Sequence, residues 1–147
     1  MLLNSCGSVS GNSTALIFDG ITYEVRIQDL RSLPSSLILC DPYDALMVCY
    51  SVVDSNTLDF LKYGCFGCLE KFEHERIPSI LVGNKLDLAS NMLDEYVSAE
   101  DAETVAKEIG ATVSMQCSSL AHLQNGTGNV EIAFKAAIKC AFEHHQL

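Results

Sequence analysis

Residues 80 to 87 read Ile80-Leu81-Val82-Gly83-Asn84-Lys85-Leu86-Asp87, and this stretch decides the fold. An apolar run from Ile77 to Val82, interrupted by Pro78 and Ser79, ends at Gly83 and passes into the polar tetrad Asn84-Lys85-Leu86-Asp87. Apolar side chains at consecutive positions need burial on both faces, which a strand inside a parallel sheet supplies. Ligands of open α/β sheets bind just beyond the carboxyl ends of such strands, so the tetrad stands where a ligand would. Four residues also suit an ordinary solvated loop, and only their context separates the two readings.

The context alternates in period. Residues 1–12 are rich in Ser, Asn and Gly and read as irregular. Thr14 to Phe18, Asp19-Gly20 and Ile21 to Gln28 read as a β-hairpin, because Asp-Gly is a strong signal for a two-residue turn. Asp29 to Asp44 contains Pro34, Pro42 and several serines and reads as loop; Ala45 to Ser51 is a continuous apolar strand. Asp54 or Ser55 can cap the next helix, whose stripe is Leu58, Leu61, Cys65, Leu69 and Phe72. Gly64 and Gly67 each weaken it by about 1 kcal/mol relative to Ala.

Beyond the tetrad, Ser98 with Asp101 resembles a capping box. Ala102, Val105, Ala106 and Ile109 form the apolar face before Gly110 ends that helix. Ala111 to Gln116 leads into a Cys117-Ser118-Ser119 loop, Asn125-Gly126 is a turn, and a last helix from about Asn129 carries Val130, Phe134, Ala137, Ile138 and Ala141. The order, a hairpin followed by β-α-β-α-β-α, predicts an α/β domain over residues 13–147: doubly wound, with a mostly parallel sheet and helices on both faces.

Composition narrows the function classes. The chain has 147 residues, enough for one domain with a single sizeable core. A formal charge of −10 with nine Lys and Arg argues against binding the nucleic-acid backbone and against anionic membrane surfaces. The N-terminus lacks the pattern of a signal peptide, and no apolar run nears the ~20 residues that span a bilayer. Cys140 is followed by seven residues, so no C-a-a-X prenylation box, and hence no prenyl membrane anchor, is expected. Seven cysteines without an export signal read as reduced and cytoplasmic. Cys65-Phe66-Gly67-Cys68 falls inside a predicted helix with only His74 near it, which favours apolar packing over redox or metal chemistry.

From about residue 13 onward the sequence resembles the Ras superfamily of small GTPases, nearest the Rho branch. The resemblance is carried by Asp19-Gly20 with Asp29 ten residues later, the strand Leu46 to Tyr50, Leu81 to Leu88, Lys107-Glu108-Ile109-Gly110-Ala111, and Cys117-Ser118. It implies a P-loop-GTPase-like fold, GTP or GDP with magnesium as ligands, and effector or regulator proteins as partners. It also gives the tetrad a role. Guanine presents its N1 hydrogen and 2-amino group side by side, and one carboxylate, that of Asp87, can accept from both. Adenine lacks that pair and would strand a buried carboxylate at a cost of about 1–3 kcal/mol or more. Asn84 then ties the loop down, and the Lys85 stem lies along the base with its ammonium in water. Ser118 and Ser119 match the family's second base loop, (C/T)-S-A, whose backbone N–H meets the guanine 6-oxygen; Ser119 stands where the family has alanine. As plain sequence, Ser-Ser after a strand is also an ordinary turn.

The departures bear on chemistry. The family's phosphate loop, G-x-x-x-x-G-K-[ST], has one approximate counterpart, Gly7 to Thr14, with one residue too few between the glycines and Asn12 in place of lysine. Asp29 then follows Thr14 by only fifteen positions, too few for a βαβ unit of ~30 residues, so the stretch reads as compositional noise. Asp29 aligns with the aspartate of D-T-A-G, but Leu30-Arg31-Ser32 follow, without the γ-phosphate glycine or the water-orienting glutamine. The short span from Leu88 to Val97 leaves no room for the Rho insertion. The expectation is therefore a small-GTPase-like domain incomplete at its N-terminus, keeping its guanine-reading loops but lacking its magnesium ligands. It should bind GTP or GDP weakly and not hydrolyse GTP. The alternative is a non-catalytic pseudo-GTPase that serves as a protein-interaction module. An unrelated flavodoxin-like domain fits less well, because it does not account for the paired base loops.

Overall fold

A computed structural model describes residues 2–4, 12–18, 20–28, 43–64, 76–91 and 96–145. Its centre is the stretch read above. Strands β4 (Ala45–Ser51), β5 (Ser79–Asn84) and β6 (Val113–Gln116) run parallel, with Val48 opposite Leu81 and Val82 opposite Met115. Strands β2 (Asn12–Phe18) and β3 (Ile21–Gln28) form the expected hairpin. Gly20 closes it at φ +76, a conformation glycine adopts without a Cβ penalty, while Asp19 lies outside the described residues.

One strand is not legible in the sequence. Leu2–Asn4 forms β1, and the six-stranded sheet has the order β2-β3-β1-β4-β5-β6. β1 is antiparallel to both neighbours, with Leu2 opposite Gln28 on one side and Leu46 on the other. Residues 1–12 were expected to be irregular; Leu2–Asn4 and Asn12 are strand instead. Three residues carry no readable periodicity, and backbone pairing to two flanking strands asks little of the side chains. The sheet is accordingly mixed, parallel through β4, β5 and β6 and antiparallel through the N-terminal three strands.

Helices cover both faces. α1 (Ser55–Asp59) continues into one π-helical turn, Phe60–Gly64, and α3 (Ala99–Glu108) packs beside it; α5 (Val130–His145) covers the opposite face. Two short helices, α2 (Leu86–Ala89) and α4 (Ser119–Asn125), follow the ends of β5 and β6. Alternation along the strands divides the core. Leu46, Val48, Tyr50 and Leu81 meet Leu58, Leu61, Ala102 and Ala106, whereas Ala45, Met47, Ile80 and Val82 meet Ala133, Ala137, Ile138 and Cys140. Ile80 and Leu81 are both fully buried on opposite faces, as a central parallel strand requires, each contributing about 1.5–3 kcal/mol. Leu16, Tyr23, Val25 and Ile27 of the hairpin join the α5 side.

The helix starts follow the sequence signals. Asp54 caps α1 by accepting from the Asn56 N–H at 3.1 Å. Ser98 accepts from the Asp101 N–H at 3.0 Å, and its hydroxyl donates to the Asp101 carboxylate at 2.7 Å, so the returning limb of the box joins side chains rather than reaching the backbone. Leu58 and Leu61 of the α1 stripe are buried; Cys65, Leu69, Phe72 and the C-x-x-C lie outside the described residues. His145 at the end of α5 lies 2.7 Å from the carboxylate of Asp44, the residue just before β4. No helix of the described residues is long and apolar enough to cross a membrane.

Among the described residues, Cys49, Cys117 and Cys140 form no disulfide; the first is exposed and the other two are buried. Burial pushes the Cys117 and Cys140 thiols up from their ordinary value, which keeps them protonated and unreactive. Brief alkylation near neutral pH should therefore label Cys49 well before Cys117 or Cys140 on peptide mapping; equal labelling of the three would contradict this burial. A second prediction concerns Gly83, which sits opposite Tyr50 in the β4–β5 register. A Cβ there would fall 2.5 Å from the Tyr50 ring and hydroxyl. Gly83→Ala should cost about 1–3 kcal/mol, read as a lower urea midpoint at unchanged slope.

Candidate functional site

The two loops singled out in the sequence leave the sheet side by side. Gly83 of β5 is opposite Gln116 of β6, and the strands end one residue later and at Gln116 itself. Backbone bonds continue the pairing past the strand ends: the Cys117 N–H donates to the Gly83 carbonyl at 2.7 Å, and the Leu86 N–H to the Cys117 carbonyl at 3.1 Å. On the other side the Val52 N–H donates to the Asn84 carbonyl at 2.8 Å. The tetrad is thus held from both neighbours.

The turn itself is tight. Lys85 adopts φ +68, a left-handed conformation that costs a non-glycine residue roughly 1–2 kcal/mol. Asn84 offsets part of that cost, since its Oδ1 accepts from the Lys85 N–H at 2.8 Å. The chain then enters α2, which puts Asp87 in its first turn. The sequence reading made this region a loop, because a four-residue helix has no period to detect.

Asn84, Asp87, Ser118 and Ser119 come together. Asn84 Oδ1 also accepts from the Ser119 N–H at 3.0 Å and the Ser119 hydroxyl at 3.2 Å. The Ser118 hydroxyl donates to Asp87 Oδ1 at 2.5 Å and accepts from the Ala121 N–H at 2.9 Å. Ser118 is buried, and its two bonds fix Asp87 and cap α4 together. The segment after Ser118 is therefore a seven-residue helix where loop was expected. The available signal was Ser118 as N-cap ahead of residues 119–125, which contain neither Gly nor Pro. Gly126, in the expected Asn125-Gly126 turn, ends that helix at φ +75.

The donors and acceptors have a definite chemical capacity. Asp87 is half-buried, and among the described residues its second carboxylate oxygen has no hydrogen-bond partner, leaving an acceptor edge available. Lys85 is exposed and makes no ion pair with another described residue, which leaves its stem free to lie along a planar ligand. The Ser119 N–H differs from the expectation of an open donor, because Asn84 already occupies it.

A supporting contact escaped the sequence reading. The Gln116 amide donates to the Tyr50 hydroxyl at 3.1 Å and to the Val97 carbonyl at 2.9 Å, joining the end of β6 to β4 and to the start of α3. Burial holds the Tyr50 hydroxyl above its ordinary pKa, so it stays neutral. A polar residue at a strand end gives no hint of such partners. On the phosphate side, Gly7 to Gly11, Asp29 and Arg31 lie outside the described residues. Asn12, Ser13 and Thr14 belong to β2, with Thr14 opposite Val25.

Sheet order, helices on both faces and paired polar loops at the strand ends together define a small-GTPase-like α/β domain. A family model described as "Ras family" matches residues 35–142, which include both loops, and the chain belongs to that family. Among curated relatives, the GTP-binding protein RHO4 of Eremothecium gossypii is 39% identical over 77 residues, covering 52% of this chain and 29% of that protein. The GTP-binding protein RHO4 of Saccharomyces cerevisiae is 36% identical over 96 residues, covering 65% and 31% respectively. These similarities place the chain near the Rho branch of the Ras superfamily, and the matched region is under a third of each relative's length.

Ser118 is the joint of the site, which gives a stability prediction. Ser118→Ala removes the α4 cap and the bond to Asp87 and should cost about 1–2 kcal/mol in urea unfolding. Asp87→Ala should cost less, since Ser118 keeps Ala121 as a partner. The reverse order would mean that Asp87 is primarily a structural residue.

Proposed function

We propose that this chain reads a guanine base, with Asp87 as the acceptor for the N1 hydrogen and the 2-amino group. Lys85 lies along the base, and Asn84, Ser118 and Ser119 set the loops. The observation that carries this reading is the Asp87 carboxylate: one oxygen is fixed by Ser118 at 2.5 Å while the other is left to accept. The donor set fits guanine and disfavours adenine, whose 6-amino group would meet donors rather than an acceptor. In this role the chain acts as a GTP-binding molecular switch component in small-GTPase-mediated signal transduction, cytoplasmic, with effector or regulator proteins as partners.

The same reading limits its chemistry. When bound, magnesium would shield the phosphate charge, whereas Asn84, Asp87, Ser118 and Ser119 assemble around the base. Nothing in the 147 residues matches G-x-x-x-x-G-K-[ST], and Leu30-Arg31-Ser32 supply no water-orienting acceptor. The chain therefore binds GTP or GDP weakly and does not hydrolyse GTP. The alternative reading is a pseudo-GTPase module that keeps the base site and uses its surface for protein contacts; a G-x-x-x-x-G-K-[ST] segment encoded upstream of Met1 would count against it.

Titration with a fluorescent GTP analogue tests the reading. Binding should be weak, insensitive to magnesium, and moved from guanine toward xanthine nucleotides by Asp87→Asn, which replaces an acceptor oxygen with a donor. Tight magnesium-dependent binding, or identical base preference in both chains, would contradict it.

A further inference from the structure

Ser119 is where this chain differs from the family's base loop, and its surroundings give the difference a consequence. Asn84 Oδ1 accepts from three donors: the Lys85 N–H at 2.8 Å, the Ser119 N–H at 3.0 Å and the Ser119 hydroxyl at 3.2 Å. An amide carbonyl oxygen has two lone pairs, so its acceptor capacity is filled. That oxygen is the same kind of acceptor as the 6-oxygen of guanine, and it sits on the backbone N–H that a guanine 6-oxygen would use. We propose that Asn84 and Ser119 form a self-closing latch over the 6-oxygen position, and that the Ser119 hydroxyl is what holds it shut. The latch rests on the base-reading role of the site.

The mechanism is a competition between two acceptors for one donor. With no base present, the Asn84 carboxamide satisfies the Ser119 N–H. When guanine arrives, Oδ1 must leave that N–H and lose the hydroxyl as well. The Asn84 Nδ2 hydrogens, which have no partner among the described residues, are then available to the base edge. An alanine at this position keeps the N–H but lacks the hydroxyl, so it opens at the cost of one hydrogen bond fewer. Serine thus weakens binding of any base with a 6-oxygen and leaves other bases unaffected. Removing one such bond should tighten guanine binding by about three- to tenfold.

The test compares wild type with Ser119→Ala against two ligands, GDP and the diphosphate of 2-aminopurine riboside, which keeps the 2-amino group but lacks both the 6-oxygen and the N1 hydrogen; it binds more weakly to both chains, so each ligand is read as the ratio of variant to wild-type affinity. The expected result is tighter GDP binding by the variant, in the stated range, with no change for 2-aminopurine. An equal gain for both ligands would reveal a general structural effect and overturn the latch. Unchanged GDP affinity in a variant that still binds would overturn the latch and leave base reading standing. Failure of both chains to bind GDP would overturn base reading and the latch with it. Amide exchange in the unliganded chain gives an independent check that needs no ligand: the Ser119 N–H should exchange more slowly in wild type than in Asn84→Ala. Equal rates would mean that the latch does not form.

Discussion

The parallel pairing of β5 with β6 is the constraint on which the rest of the site depends. Val82 opposite Met115 and Gly83 opposite Gln116 make the two strands finish together at one edge. The bonds from Cys117 to Gly83 and from Leu86 to Cys117 carry that alignment one turn beyond the sheet. A slip by one residue would send Asn84 and Ser119 to opposite sides, because side chains alternate along a strand. Full burial of Ile80 and Leu81, one on each face, opposes such a slip from both sides.

Support for the site is layered behind this pairing. Tyr50 lies against Gly83 and accepts from Gln116, so β4, β5 and β6 are joined directly beneath the loops. Gln116 continues to the Val97 carbonyl, and the Val97 N–H donates to the Val52 carbonyl at 2.8 Å, which brings the start of α3 into the same network. The loops themselves are short and polar. Their geometry comes from being fastened to a buried floor rather than from any packing of their own, which suits residues that must stay available to a ligand.

How much of this was legible in the sequence follows from where information is stored in a chain. The parallel core could be read because continuous apolar runs such as Ala45 to Ser51 have few other physical explanations. The hairpin could be read because Asp19-Gly20 specifies its turn. The helices α3 and α5 followed from 3.6-residue stripes, and Ala102, Ala106, Ala137 and Ile138 are buried as those stripes require. What escaped was short or non-local. Leu2–Asn4 is only three residues long, and Leu86–Ala89 is barely one turn. The Tyr50–Gln116 bond links residues 66 apart in sequence. At the site, Asn84, Asp87, Ser118 and Ser119 were expected to belong together, and they do meet. The direction of the Asn84 amide depends on three donors converging in space, and no spacing rule encodes it.

The central claim is that these two loops form one guanine-recognition site. An amide-resolved NMR titration of the chain with guanosine, using adenosine as the control, tests it most directly because a nucleoside carries no phosphate. The account predicts shifts concentrated at Asn84 to Leu88 and Ser118 to Leu120 with guanosine and absent with adenosine. Shifts that are equal for the two nucleosides, or that fall away from both loops, would contradict it.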